Sequence, residues 1–170
     1  MTEIAIPLPM VSFAKKLAKE MGALRGSITG GKGNLAGHLG ELMVFDIMGG
    51  EYLPTFDYDI FWKGKRFDVK SKNCTSIPRE FFNCTVAAFN TKQQCDFYIF
   101  TRILDSLRTG WILGYLSKDE FYEKARFFKE GDYDPESFHR GMNGGRFIAD
   151  CYNVRINELK PFEQIVAECS

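Results

Sequence analysis

Residues Phe56–Lys72 run FDYDIFWKGKRFDVKSK and set the strand pairing on which the fold is built. Lys63-Gly64 suits the two-residue turn of a β-hairpin. With that turn, Trp62 opposes Lys65, Ile60 opposes Phe67 and Tyr58 opposes Val69. Directly opposed side chains share a sheet face. One face therefore carries Tyr58, Ile60, Trp62, Phe67 and Val69, apolar apart from Lys65 at the turn. The other sets Asp59 opposite Asp68 and Asp57 opposite Lys70. Opposed carboxylates repel. Lys70, two residues from Asp68 on the same face, offsets part of this. A hard divalent cation, which takes carboxylate oxygens, would offset more.

A third acid lies upstream. Segment 34–48 carries Leu35, Leu39, Leu42, Met43, Val44, Phe45, Ile47 and Met48 around nearly its whole helical circumference, the pattern of a buried helix. Glu41 sits among them, with Gly37, His38, Val44 and Phe45 as its neighbours three and four residues away. A carboxylate in that setting must be paired, protonated or bound to a metal.

Working outward, residues 1–9, with Pro7 and Pro9, read as an extended lead-in. A helix from Met10 ends at Gly22, a glycine-rich loop fills 22–33, and Gly49-Gly50 stops the second helix. Tyr52–Trp62 and Lys65–Ser71 read as strands, and 79–92 as a short helical or irregular stretch. Phe97–Phe100 and Trp111–Leu116 read as buried strands. Ser117 and Glu120 form a capping-box pattern opening a helix to about Glu130. A loop follows over 131–145, then a last strand within Phe147–Ile156 and a short helix after Pro161. The order α-α-β-β-(α)-β-β-α-β predicts one α/β domain over 1–170, its core about 34–156, with a mixed sheet flanked by helices.

The chain has 170 residues, with 22 Lys plus Arg against 22 Asp plus Glu. Zero net charge excludes a generally basic nucleic-acid binder but not a local patch. Lys63, Lys65, Arg66, Lys70, Lys72 and Arg79 form such a patch, and Lys15, Lys16, Lys19, Arg25 and Lys32 add positive charge near the start. Five cysteines without a CxxC predict ordinary thiol packing in a reducing compartment. No apolar run approaches the ~20 residues that span a bilayer, so a soluble, cytoplasmic protein is expected, with no membrane partner. Gly26–Gly33 nearly forms a P-loop, but Gly33 stands where Ser or Thr would bind Mg²⁺, and a helix rather than a strand precedes it. His38 and His139 have no recognisable catalytic context.

Glu41 on a helix after Gly37-His-Leu-Gly40, then Asp59, then Asp68-Val-Lys70, resembles the PD-(D/E)xK nuclease superfamily. This is the restriction-endonuclease-like fold of many phage, repair and recombination nucleases. The resemblance covers roughly residues 34–105, with Asp96–Phe100 as the fourth core strand of an α-β-β-β-α-β core. No Pro directly precedes Asp59, although Pro54 is near, and Asp68 stands where Glu is more frequent. Asp57 and Asp59 both compete for the first acid; Asp59 is favoured because it opposes Asp68 and precedes Ile60. A second acid-x-Lys, Glu158-Leu-Lys160, lacks the hairpin turn and the paired acid.

The resemblance implies a Mg²⁺- or Mn²⁺-dependent deoxyribonuclease. Asp59, Asp68 and the Val69 carbonyl would hold the metal, and Lys70 would orient or deprotonate the attacking water. Glu41 would bind a metal-linked water or a second metal. Lys72, Arg79 and Lys32 would meet DNA phosphates, and Asn90, Gln93 and Gln94 would line the site. A homodimer is compatible with this reading, as is the host cytoplasm if the protein is phage-encoded. The alternative is a non-catalytic nuclease-fold module that binds nucleic acid or a protein partner.

Overall fold

The computed structural model describes residues 1–21, 34–134, 136 and 145–169. The Gly22 helix stop, the 22–33 loop with Arg25 and Lys32, His139 and most of the 131–145 loop lie outside the described residues.

Lys63 (φ 48°) and Gly64 (φ 73°) both adopt left-handed backbone, the turn geometry whose twist matches a hairpin. Strands β3 (Ile60–Trp62) and β4 (Lys65–Cys74) pair with Ile60 opposite Phe67 and Trp62 opposite Lys65, in the expected register. The ladder ends at Ile60. Asp59 N–H still donates to the Phe67 carbonyl at 2.9 Å, but residues 55–58 curl into a turn closed by Thr55 N–H on the Tyr58 carbonyl. Tyr58 therefore does not share a face with Ile60 and Val69; it packs in the cluster on the opposite side of the sheet. Asp57 likewise does not oppose Lys70. The Tyr52–Trp62 segment, expected to supply one or two strands, supplies two, β2 (Glu51–Tyr52) and β3, paired with each other across this turn.

The lead-in is also a strand. β1 (Thr2–Ala5) pairs antiparallel with β7 (Thr109–Ser117), and helix α1 (Leu8–Met21) follows it. Helix α2 spans Asn34–Met48. Within the stretch read as 79–92, β5 (Asn83–Ala87) precedes a 3-10 turn over Ala88–Lys92. β6 (Phe97–Leu104) runs parallel to β4 and antiparallel to β7. The capping box forms, with Ser117 Oγ accepting from Glu120 N–H and Glu120 accepting from Ser117 N–H. Helix α3 nevertheless stops at Lys124 rather than about Glu130, because β8 (Arg126–Phe128) is drawn onto β9 (Cys151–Arg155). A short α4 (Ile165–Glu168) lies near the C-terminal end.

The mixed sheet has the order β1-β7-β6-β4-β3-β2, and β5-β9-β8 form a second sheet. Both faces of the first are covered, which is why β6 and β7 read as near-continuous apolar runs. On one face Ile60, Phe67, Val69, Ile99 and Ile112 pack with Leu39, Met43 and Val44 of α2 and Val11 and Ala14 of α1. On the other, Tyr98, Phe100, Leu113 and Leu116 pack with Phe121 of α3 and with Val86 and Val154 of the second sheet. All five cysteines are free thiols. No helix among the described residues is long and apolar enough to cross a membrane.

Candidate active site

Helix α2 lies close on the sheet because residue 40 has no side chain. A Cβ on Gly40 would collide with the hydroxyls of Ser71 on β4 and Thr101 on β6, which are hydrogen-bonded to each other at 2.7 Å. The next residue is Glu41. Its Oε2 accepts from the Tyr52 hydroxyl at 2.6 Å and lies 3.2 Å from His38 Nδ1. The paired state that its apolar helix demands is thus met by one residue of its own helix and one of β2.

The two aspartates meet through β4. Asp59, 7% exposed, accepts from Val69 N–H at 2.7 Å. Asp68, 3% exposed, places Oδ2 at 2.5 Å from Lys70 Nζ. Its Oδ1 accepts from Gln93 Nε2 at 3.1 Å, while Gln93 Oε1 accepts from Lys70 Nζ at 3.2 Å. Gln93 Nε2 also donates to the Phe56 carbonyl at 2.5 Å, and the Gln93 carbonyl accepts from Lys118 Nζ. The buried glutamine therefore ties β4 to the 55–58 turn, and α3 is tied to its backbone.

These acids are electrically crowded. Burial holds Asp59 well above the usual carboxylate range, and the charges of Glu41 and Asp68 push it further the same way. Burial also raises Asp68, outweighing the Lys70 ion pair. Burial and then Glu41 raise the Tyr52 phenol, which keeps it a hydrogen-bond donor. Lys70 thus serves two buried aspartates, with Glu41 adding a third negative charge nearby. Among the described residues no three His, Cys, Asp or Glu side chains stand as a ready-made metal-holding group. The donor set is nevertheless all oxygen and under-neutralised, which suits a hard cation rather than a thiophilic one.

The remaining expected residues are spread more widely. Val69 gives its N–H to Asp59 and its side chain to the α2-facing core. Asp57 accepts from Gln94 N–H at 3.0 Å, whereas buried Asp59 and Asp68 accept from Val69 and Gln93, and the Gln94 side chain is exposed. Asn90 contributes its carbonyl to Gln93 N–H. Gln93, grouped with Asn90 and Gln94 by sequence alone, is the one of the three whose side chain enters the site. The 3-10 turn before it sets that direction, and residue type alone carries no such signal. Arg79 is exposed. Lys72 is half-buried beside Glu136, Arg102 and Asp134, and burial lowers its pKa. Lys32 lies outside the described residues.

No protein-family model matches this chain, and no curated protein sequence matches it.

Proposed function

We propose that this chain is a metal-dependent nuclease that hydrolyses DNA phosphodiester bonds on a restriction-endonuclease-like core. The observation that carries the reading is the convergence of Glu41, Asp59 and Asp68 with Lys70, where α2 lies against the β3–β4 hairpin. The order α2-β2-β3-β4, followed by β6 parallel to β4, supports the core assignment. β5 and a 3-10 turn stand where that family's second helix would be.

Asp59 and Asp68 would hold Mg²⁺ or Mn²⁺, with the Val69 carbonyl as a further oxygen and Glu41 taking a bound water or a second ion. Bound there, the ion would polarise the phosphodiester and acidify a water. The protein supplies the rest. Lys70 brings a positive charge to neutralise charge developing on the phosphate. Tyr52 and His38 hold Glu41 in one orientation. Val69 N–H fixes one oxygen of Asp59. Exposed Arg79 offers a phosphate contact outside the buried site. Lys72, half-buried beside Glu136, is less suited to that role than its position in the sequence implies.

One observation favours the alternative, a non-catalytic module that binds nucleic acid or a protein partner. Every acid of the site already has an internal partner, and Lys70 occupies Asp68. A cleavage assay on linear, circular, single-stranded and branched DNA, with Mg²⁺ or Mn²⁺ and with EDTA, separates the two. Nuclease action predicts metal-dependent cleavage, lowered by about 100-fold or more in Asp68→Ala and Lys70→Ala while circular dichroism stays unchanged. Full activity in both variants sinks the assignment. DNA binding without cleavage under every metal points to the binding module.

A further inference from the structure

Lys70 has two acceptors within reach, and they differ in kind. Asp68 Oδ2, at 2.5 Å, is a charged oxygen; Gln93 Oε1, at 3.2 Å, is a neutral one. The Gln93 amide has little freedom to choose what it presents. Its NH₂ already serves two acceptors, the Phe56 carbonyl and Asp68 Oδ1, so a flipped amide would set oxygen against oxygen and NH₂ against ammonium. Its backbone is held as well, by Asn90 on the N–H side and Lys118 on the carbonyl side. Gln93 thus holds a preformed, uncharged berth beside the ion pair.

An ammonium group at salt-bridge distance and a divalent cation on the same carboxylate oxygen repel each other across a short, poorly solvated gap, so each weakens the other's hold. We infer that Lys70 and a divalent cation compete for Asp68, and that Gln93 is the positioning residue that receives Lys70 when the cation takes its place. This rests on the metal reading proposed above. It makes the Lys70–Asp68 pair a latch on the site, and Gln93 what makes opening it inexpensive. Without that berth, a displaced ammonium would lose its carboxylate and find no buried acceptor in exchange.

Calorimetric titration of Mn²⁺ at pH 8 tests this on four proteins: wild type, Lys70→Met, Gln93→Met and the double variant. Removing the competing ammonium should tighten Mn²⁺ binding by about fivefold or more. Removing the berth should weaken it by a similar factor while Lys70 is present, and by less than about twofold once Lys70 is gone. Unchanged or weaker binding in Lys70→Met overturns the competition. Equal weakening by Gln93→Met in both backgrounds makes Gln93 a packing residue only and overturns its role. Mn²⁺ binding to wild type with no coupling removes this inference alone, whereas no Mn²⁺ binding to any of the four removes the metal reading with it. Gln93→Leu serves as the second variant should Gln93→Met fail to fold.

Discussion

Lys70 and Lys72 stand two residues apart on the same face of β4, yet each belongs to a charge cluster of opposite character. Around Lys70, three acids crowd one base, and burial together with mutual repulsion keeps Asp59 and Asp68 above their usual range. Around Lys72 the charges balance, two bases (Lys72 and Arg102) facing two acids (Glu136 and Asp134). Arg102, 1% exposed, bonds Glu136 at 2.6 Å and the Asn83 carbonyl at 2.8 Å, and lies over the Phe82 ring. Burial pushes Glu136 up, but Lys72 and Arg102 overcome it and hold the carboxyl at about 2. The second cluster joins the large sheet to the small one and stabilises the fold. The first does the reverse: its acids would be more comfortable protonated. Buried carboxylates crowded in this way mark a candidate binding or catalytic site.

The contrast can be broken most decisively at Arg102. Arg102→Met strands Glu136 in a buried setting and should cost about 3–5 kcal/mol, read by thermal or denaturant unfolding. A variant that melts like wild type would erase the distinction between the clusters. The acid side should respond with the opposite sign. Asp59→Asn removes a repelled charge and should raise stability by about 1 kcal/mol at pH 8, while abolishing the proposed cleavage.

The two clusters should also respond oppositely to pH. The Asp59 carboxyl is raised, so its contribution is full below the unfolded value of about 3.9 and is lost as pH rises through the folded value. The melting-temperature advantage of Asp59→Asn should therefore be widest at pH 8 and close toward pH 4. Glu136 is depressed to about 2. Its contribution is full above about 4.3 and is lost as pH falls through the folded value. The deficit of Glu136→Gln should hold from pH 8 to near 5 and close below that. Parallel pH profiles for the two variants would contradict the assignment of opposite roles. A modest effect is also expected at the edge of the site. Ser117→Ala removes the α3 cap and should cost about 1 kcal/mol. Because Lys118 contacts Gln93, that variant also reports how far fraying of α3 reaches toward the acids.

The sequence made the hairpin register, α2, the α3 cap and the β6 and β7 runs legible, because each is written in local pattern: a Lys-Gly turn, helical spacing, a Ser and Glu three apart, unbroken apolar residues. The acids drew notice because a charge set opposite a charge, or inside an apolar helix, is conspicuous, although the β3–β4 ladder ends at Ile60 and Asp59 and Asp68 do not form a cross-strand pair with each other. What local pattern does not contain is pairing over distance. Asn83–Ala87 is a strand because Cys151–Arg155 lies alongside it, and Arg126–Phe128 leaves the helix for the same partner. The face of Tyr58 was misread because alternation assumes an unbroken strand, whereas Asp59 ends the ladder by turning its carboxylate onto Val69 N–H. The Arg102–Glu136 pair spans 34 residues and had no sequence signal.

Gly40 sets a spacing. Where most helices ride on a sheet across a layer of interlocking side chains, α2 touches the two strands at this point with nothing between its backbone and two hydroxyls. The gap from Glu41 to Asp59 and Asp68 is then a hard stop, fixed by atomic radii and not by how the surrounding apolar side chains settle. Conservative exchanges at Leu42 or Met43 can loosen or tighten the core without moving that stop. Any side chain at residue 40 acts as a shim, lifting one acid away from the other two.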